Sequence, residues 1–121
     1  MIKRKDQHKE TVMKDMFGGH GKVTLEHFWE KDEIKANNRL CAKLLVEPGC
    51  SIGFHVHEDE EEIFIILKGK AQVDDNGKQS ILKEGDTLLT KSGEGHALRC
   101  IGDETLELLA FISLYTQDTD Q

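Results

Sequence analysis

Between Val23 and Leu114 polar and apolar residues alternate with period two in short runs, each halted by a glycine, proline or asparagine turn before a helical period can establish itself. Such a chain can bury its apolar residues only as strands. In the first run Val23, Leu25, His27 and Trp29 fall on one side and Thr24, Glu26 and Phe28 on the other. After a polar connection, Arg39 to Glu47 repeats the pattern with Leu40, Ala42, Leu44 and Val46 sharing a side. Glu47-Pro48-Gly49 is a turn, because proline presets the backbone at its second position and glycine tolerates positive φ. Further strands are predicted over 63–67, 71–73, 80–82, 87–90, 96–101 and 105–114, and Asp75-Asn76-Gly77 is a hairpin signature. Strands this short at this spacing predict an all-β barrel or sandwich.

The length of 121 residues suits one domain, 1–121, made of an N-terminal arm (1–22), a β-barrel (23–114) and a frayed tail (115–121). A net charge of −7 with no concentrated basic face argues against nucleic acid and against anionic membrane as partners. No run approaches the roughly 18 apolar residues of a membrane span. Met1 to Glu10 contains no apolar signal core, which predicts a cytoplasmic protein. Cysteines at 41, 50 and 100, odd in number and without CxxC spacing, are expected to be reduced thiols. A small-molecule or ion site remains.

One stretch carries metal-ligand residue types at strand spacing. In His55-Val56-His57 both imidazoles project from the same face of a strand, since residues i and i+2 point the same way. The acidic run Glu58 to Glu62 follows, and Glu62 opens the apolar run Ile63-Phe64-Ile65-Ile66-Leu67, the returning antiparallel strand. A carboxylate can therefore face the two histidines.

With these residues the chain resembles the cupin family. Gly49, five residues, His55-x-His57, four residues, Glu62, six residues and Gly69 match its first motif without a gap. In the second motif Gly85, Gly93 and His96 hold their places, while Lys91 stands for a proline and Cys100 for an asparagine. The resemblance implies a double-stranded β-helix, or jelly-roll barrel, with a metal held by His55, His57, Glu62 and His96. Three neutral imidazole nitrogens and one carboxylate suit a divalent transition metal such as Mn, Fe, Ni or Zn better than Mg or Ca. An octahedral ion would keep two or so positions open for water, substrate or dioxygen.

The neighbours of these four residues read as scaffold. Glu58, Asp59, Glu60 and Glu61 are expected to form a solvated, mutually repelling edge in the turn before Glu62. Cys100 shares parity with His96 but lies ~13 Å along the strand, too far to share an ion, and reads as a small buried hydrophobe. His8 is expected in solvent, His20 in the glycine-rich turn at 17–21, and His27 in the core. Arg39, Lys43 and Arg99 could pair with a bound carboxylate only if their faces turn inward. In cupins that decarboxylate oxalate an arginine tends to stand three residues before the first metal histidine; here that residue is Ile52, which counts against that reaction.

Two functions of different class follow. One is a metal-dependent enzyme acting on a small polar metabolite by decarboxylation, dioxygenation or isomerisation; the other is a metal-containing small-molecule binding or sensing module without turnover. A pocket acid or base within hydrogen-bond reach of a metal-bound ligand would separate them. A homodimer is also expected. If His55 and His57 face inward, Ile52, Phe54 and Val56 face outward, and the runs 63–67 and 106–112 are apolar on both faces, so a second subunit would cover the outer one.

Overall fold

The computed structural model describes residues 1–116, in which ten strands follow one another with only single turns of 3-10 helix between them. They are β1 (Lys9–Lys14), β2 (Lys22–His27), β3 (Asn38–Val46), β4 (Ser51–Val56), β5 (Glu60–Lys68), β6 (Lys70–Asp75), β7 (Lys78–Lys83), β8 (Thr87–Thr90), β9 (Gly95–Ile101) and β10 (Leu106–Leu114). Six form one antiparallel sheet in the order β1-β2-β3-β10-β5-β8, and four form a second in the order β4-β9-β6-β7. The two inner faces supply the core predicted from the alternation. Leu106, Leu108 and Ala110 of β10 and Leu44 and Val46 of β3 are buried with Phe64 and Ile66 of β5, and Val73 and Leu98 come from the facing sheet. This is the jelly-roll barrel. The β6–β7 hairpin closes through Asn76 and Gly77, both at positive φ (51° and 96°), and Asp74 Oδ1 accepts the Gly77 amide at 2.7 Å.

Residues 1–22 are more than an arm. Lys9 to Lys14 pairs along β2, from Lys9 opposite His27 to Lys14 opposite Lys22. The strand escaped the alternation test because its contacts to the barrel are polar. Thr11 bonds His27 at 3.1 Å, and His8 bonds the carboxylate of Glu26 at 2.7 Å. His8 is therefore partly buried rather than in solvent. Glu26 is only 3% exposed, and Lys5 and Lys43 also meet it. Burial alone would raise the Glu26 carboxyl, but His8 and Lys5 outweigh it and hold the group below the usual range. Of the expected frayed tail, Tyr115 is tied down by a bond to Glu61 at 2.9 Å, and residues 117–121 lie outside the described residues.

Two bulges change which side chains face inward. Ile52 pairs with Leu98 and His55 with His96, so Gly53 and Phe54 together oppose a single residue. The extra residue shifts parity, and Ile52, expected outside with Phe54 and Val56, is instead buried at 4% exposure on the same side as His55. Phe54 and Val56 do stay outside. On β3, Leu40 pairs with Ile112 and Asn38 with Ser113, which leaves Arg39 as the extra residue. Both bulges lie beside the candidate site.

Candidate metal centre

His55 lies on β4, directly opposite His96 on β9, so two imidazoles share one cross-strand pair. His57 follows the last residue of β4 and is fixed by its backbone: its amide donates to the Glu94 carbonyl, and its carbonyl accepts from the Gly93 amide at 2.7 Å. Glu62 arrives from β5 in the other sheet, where it pairs with Thr90 of β8. The cluster thus bridges the two sheets. Its ligand atoms lie within 4.8 Å of one another. Glu62 Oε1 is 2.9 Å from His57 Nε2 and 3.1 Å from His96 Nε2, and His96 Nε2 is 3.2 Å from both His55 Nε2 and His57 Nε2.

These spacings fit a small ion, since donors ~2.1 Å from an octahedral ion and at right angles to one another lie ~3.0 Å apart. The outward ring atoms agree. His55 Nδ1 faces the Gly53 carbonyl at 2.9 Å, His57 Nδ1 faces Glu60 at 2.5 Å, and His96 Nδ1 faces the Thr90 hydroxyl at 2.7 Å. Each partner can accept a hydrogen bond from Nδ1–H, which leaves three Nε2 lone pairs and a carboxylate oxygen aimed at one place. Four acceptors converging in a buried site lack a counter-donor, so the donor set fits a metal cation. Phe64 stacks on His96 with centroids 4.8 Å apart, which fixes the ring plane.

Protonation follows from the same contacts. The bond to Glu62 raises His57, burial opposes this, and Glu60 adds to the rise. Burial lowers His55. Glu62 is pushed up by burial but held below the usual carboxylate range by His57 and His96. A metal must displace the proton from His57 Nε2, so its affinity is expected to fall as pH drops below the raised value of His57. The fall is up to tenfold per pH unit for each proton displaced, and it begins at a higher pH than for an ordinary histidine. Competition against a chelating indicator between pH 8 and pH 5 measures it; an affinity independent of pH would contradict ligation through the His57 imidazole.

Glu60 belongs to this site and not to a solvated edge. It begins β5, shares parity with Glu62 and is 8% exposed. Besides His57 it binds the guanidinium of Arg39, through Nε at 2.9 Å and Nη2 at 2.8 Å. Arg39 holds the Glu60 carboxyl low, with His57 assisting against burial. The bulge at Arg39 makes this bidentate pair possible by turning inward a side chain whose strand parity pointed away. Lys43 pairs with Glu26 and Glu107 instead, and Arg99, itself exposed, bonds Gln72.

Beside these four residues lies a cavity of about 80 Å³. Arg39, His55, His57 and Glu62 form its polar side; its other walls include Leu25, Leu40, Leu44, Ile52 and Ile112. Met16 and Phe17 complete it from the turn between β1 and β2. Phe17, at φ 53°, stacks on His55 with ring centroids 3.9 Å apart. Backbone meets backbone here: a Cβ on Gly53 would sit 2.0 Å from the Phe17 carbonyl oxygen, and one on Gly19 would sit 2.3 Å from that of Ser51. Glycine at 19 and 53 lets the turn seat on β4. The three cysteines are free thiols outside the site, and Cys100 is a buried core residue as expected.

Known proteins match this chain along most of its length. The model of the family described as Cupin domain matches residues 42–112. An oxalate-binding protein of Thermotoga maritima is 39% identical over 114 residues, which cover 94% of each chain. A crystal structure of a predicted oxalate decarboxylase from the same organism superposes with a TM-score of 0.89 at 38% identity, covering 94% of this chain and 99% of that one. The polyketide cyclase RemF of Streptomyces resistomycificus shares the fold at 18% identity, with a TM-score of 0.74 over 99% of this chain and 89% of its own. A mannose-1-phosphate guanylyltransferase of Salmonella montevideo matches at 27% identity, but the aligned part is only 21% of that protein. With its barrel, its four-residue cluster and these matches, the chain belongs to the cupin family.

Proposed function

We propose that His55, His57, Glu62 and His96 hold a divalent transition metal and that the protein binds a small carboxylate through that ion. When bound, the metal supplies a Lewis-acidic centre with open positions. One observation favours binding over turnover: among the described residues that line the cavity outside those four, Arg39 is the sole titratable group, and its guanidinium is engaged with Glu60. Among the described residues, no side chain of the cavity wall is left free to take a proton from a ligand or return one. The relative named for oxalate supports a carboxylate as the ligand class. Calorimetry on protein with its metal content measured before and after tests the reading, using a panel of small carboxylates. Binding only by the metal-loaded protein is expected; binding by none, or equally by the metal-free protein, would refute it.

The second reading is a metal-dependent enzyme. The cavity favours it in one respect, because reactions that need only an open metal position and exclusion of water do not require a separate acid or base. Carbon dioxide release or dioxygen uptake by the loaded protein would establish it.

We also propose that the protein is a homodimer. On the outer face of the larger sheet Ile63 lies opposite both Phe111 and Leu89, and Ile65 opposite Leu109. Ile63 and Leu89 are 39% and 43% exposed and Leu67 38%, so the patch is contiguous and apolar. A second copy is expected to cover it in a two-fold pair. Light scattering on a size-exclusion column at micromolar concentration should give about twice 13.7 kDa. The monomer mass would contradict the dimer.

A further inference from the structure

We propose that Arg39 is the specificity-determining residue of this site: one edge of its guanidinium is held by Glu60, and the other receives the far oxygens of a short 1,2-dicarboxylate bound to the metal. The inference rests on the metal-centred reading above and narrows its ligand class to a dianion.

The cavity wall is the first observation. Outside His55, His57 and Glu62, and among the described residues, Arg39 is the only lining side chain able to donate a hydrogen bond. A buried ligand oxygen that the metal does not take must go to Arg39 or lie unpartnered against apolar side chains, which is costly. Glu60 is not part of that wall. It stands behind the guanidinium, where its Oε2 meets Arg39 Nη2 at 2.8 Å and His57 Nδ1 at 2.5 Å. A divalent ion, Arg39 and Glu62 therefore face the cavity with two net positive charges, the histidines being neutral, and a dianion matches them.

The guanidinium itself is the second observation. Its five N–H groups lie in one plane as two forks. The fork of Nε and Nη2 is taken by the two oxygens of Glu60 at 2.9 and 2.8 Å. The end fork, made by Nη1 and the second hydrogen of Nη2, meets no acceptor among the described residues. The bulge on β3 turns this side chain inward, Glu60 fixes its plane, and at 46% exposure it stands at the rim, where a ligand can reach it. A 1,2-dicarboxylate that binds an ion through one oxygen of each carboxylate leaves its other two oxygens side by side, the acceptor pair that such a fork fits. A 2-oxo monocarboxylate offers one oxygen and an alkyl group there. Size keeps the ligand short, because about 80 Å³ is roughly half the ~150 Å³ that accommodates benzene.

The experiment compares oxalate with pyruvate by calorimetry on the Mn-loaded protein, with metal content checked after each titration. Each affinity is divided by that of the same ligand for aqueous Mn²⁺, which removes intrinsic chelating strength. The normalised preference for oxalate should be at least about tenfold, the usual effect of a charge-assisted hydrogen bond, and should disappear in Arg39→Gln. Arg39→Lys keeps a cation beside Glu60 but no fork, and should lose most of the preference too. In Arg39→Gln/Glu60→Gln both opposed charges are gone, so the loss should persist. Wild-type preference in Arg39→Lys, or its recovery in the double variant, would show that Arg39 only neutralises Glu60 and would overturn the inference, as would equal normalised affinities in the unaltered protein. In either case binding of both ligands leaves the metal-centred function standing; silence from both on a protein that keeps its metal defeats the two together.

Discussion

His57→Ala is expected to reduce metal content from about one equivalent per chain to less than a tenth under the same loading conditions. His57 Nε2 stands 2.9 Å from Glu62 and 3.2 Å from His96, as one of the four converging atoms. Total binding energies of ~10–16 kcal/mol at four-ligand sites average roughly 3 kcal/mol per ligand, which corresponds to more than a hundredfold in affinity. The loss also strands Glu60, whose partner on the cluster side is the His57 Nδ1. Elemental analysis after exhaustive dialysis checks this, with circular dichroism to establish that the barrel persists. Wild-type stoichiometry in a folded variant would rule out the four-ligand assignment.

Glu60→Gln should weaken metal binding by about 10–100-fold without removing a ligand, the usual consequence of disturbing the group that orients a ligating histidine. Glu60 accepts from Arg39 and His57 together. Glutamine keeps one acceptor oxygen and no charge: with that oxygen in the place of Oε2, which serves Arg39 Nη2 and His57 Nδ1, the amide NH2 faces Arg39 Nε and cannot accept from it. Glu58→Gln supplies the control, because Glu58 is exposed and two residues closer to the turn. Equal metal affinity in the two variants would return Glu60 to the solvated edge first assigned to it.

Backbone irregularity separates what was legible in the sequence from what was not. Strand positions, the Asn76-Gly77 hairpin and the facing of His55, His57 and Glu62 were legible because each depends on regular alternation or on spacing within one hairpin, whereas His96 joined them only through the resemblance to the second cupin motif. Ile52 and Arg39 were not. Each sits at a bulge, where one extra residue inverts the inside and outside of the strand, and no local composition marks the place except Gly53. Glu60 could have been found. It shares parity with Glu62, and only the assumption that the whole acidic run was a turn concealed it. Strand β1 carried no apolar alternation to detect, since it is held to β2 by main-chain pairing and by contacts such as His8 with Glu26. The stacking of Phe17 on His55 joins residues far apart in the chain, and nothing near either one signals it.

The central claim is that one ion sits between the two sheets, on ligands from both. Anomalous diffraction from crystals of the Mn- or Co-loaded protein tests it directly. The account predicts a single strong peak about 2.1 Å from the Nε2 atoms of His55, His57 and His96 and from a Glu62 carboxylate oxygen. A peak held instead by Glu58, Asp59 or Glu61 on the surface, or no peak among the four residues at full metal occupancy in solution, would contradict it.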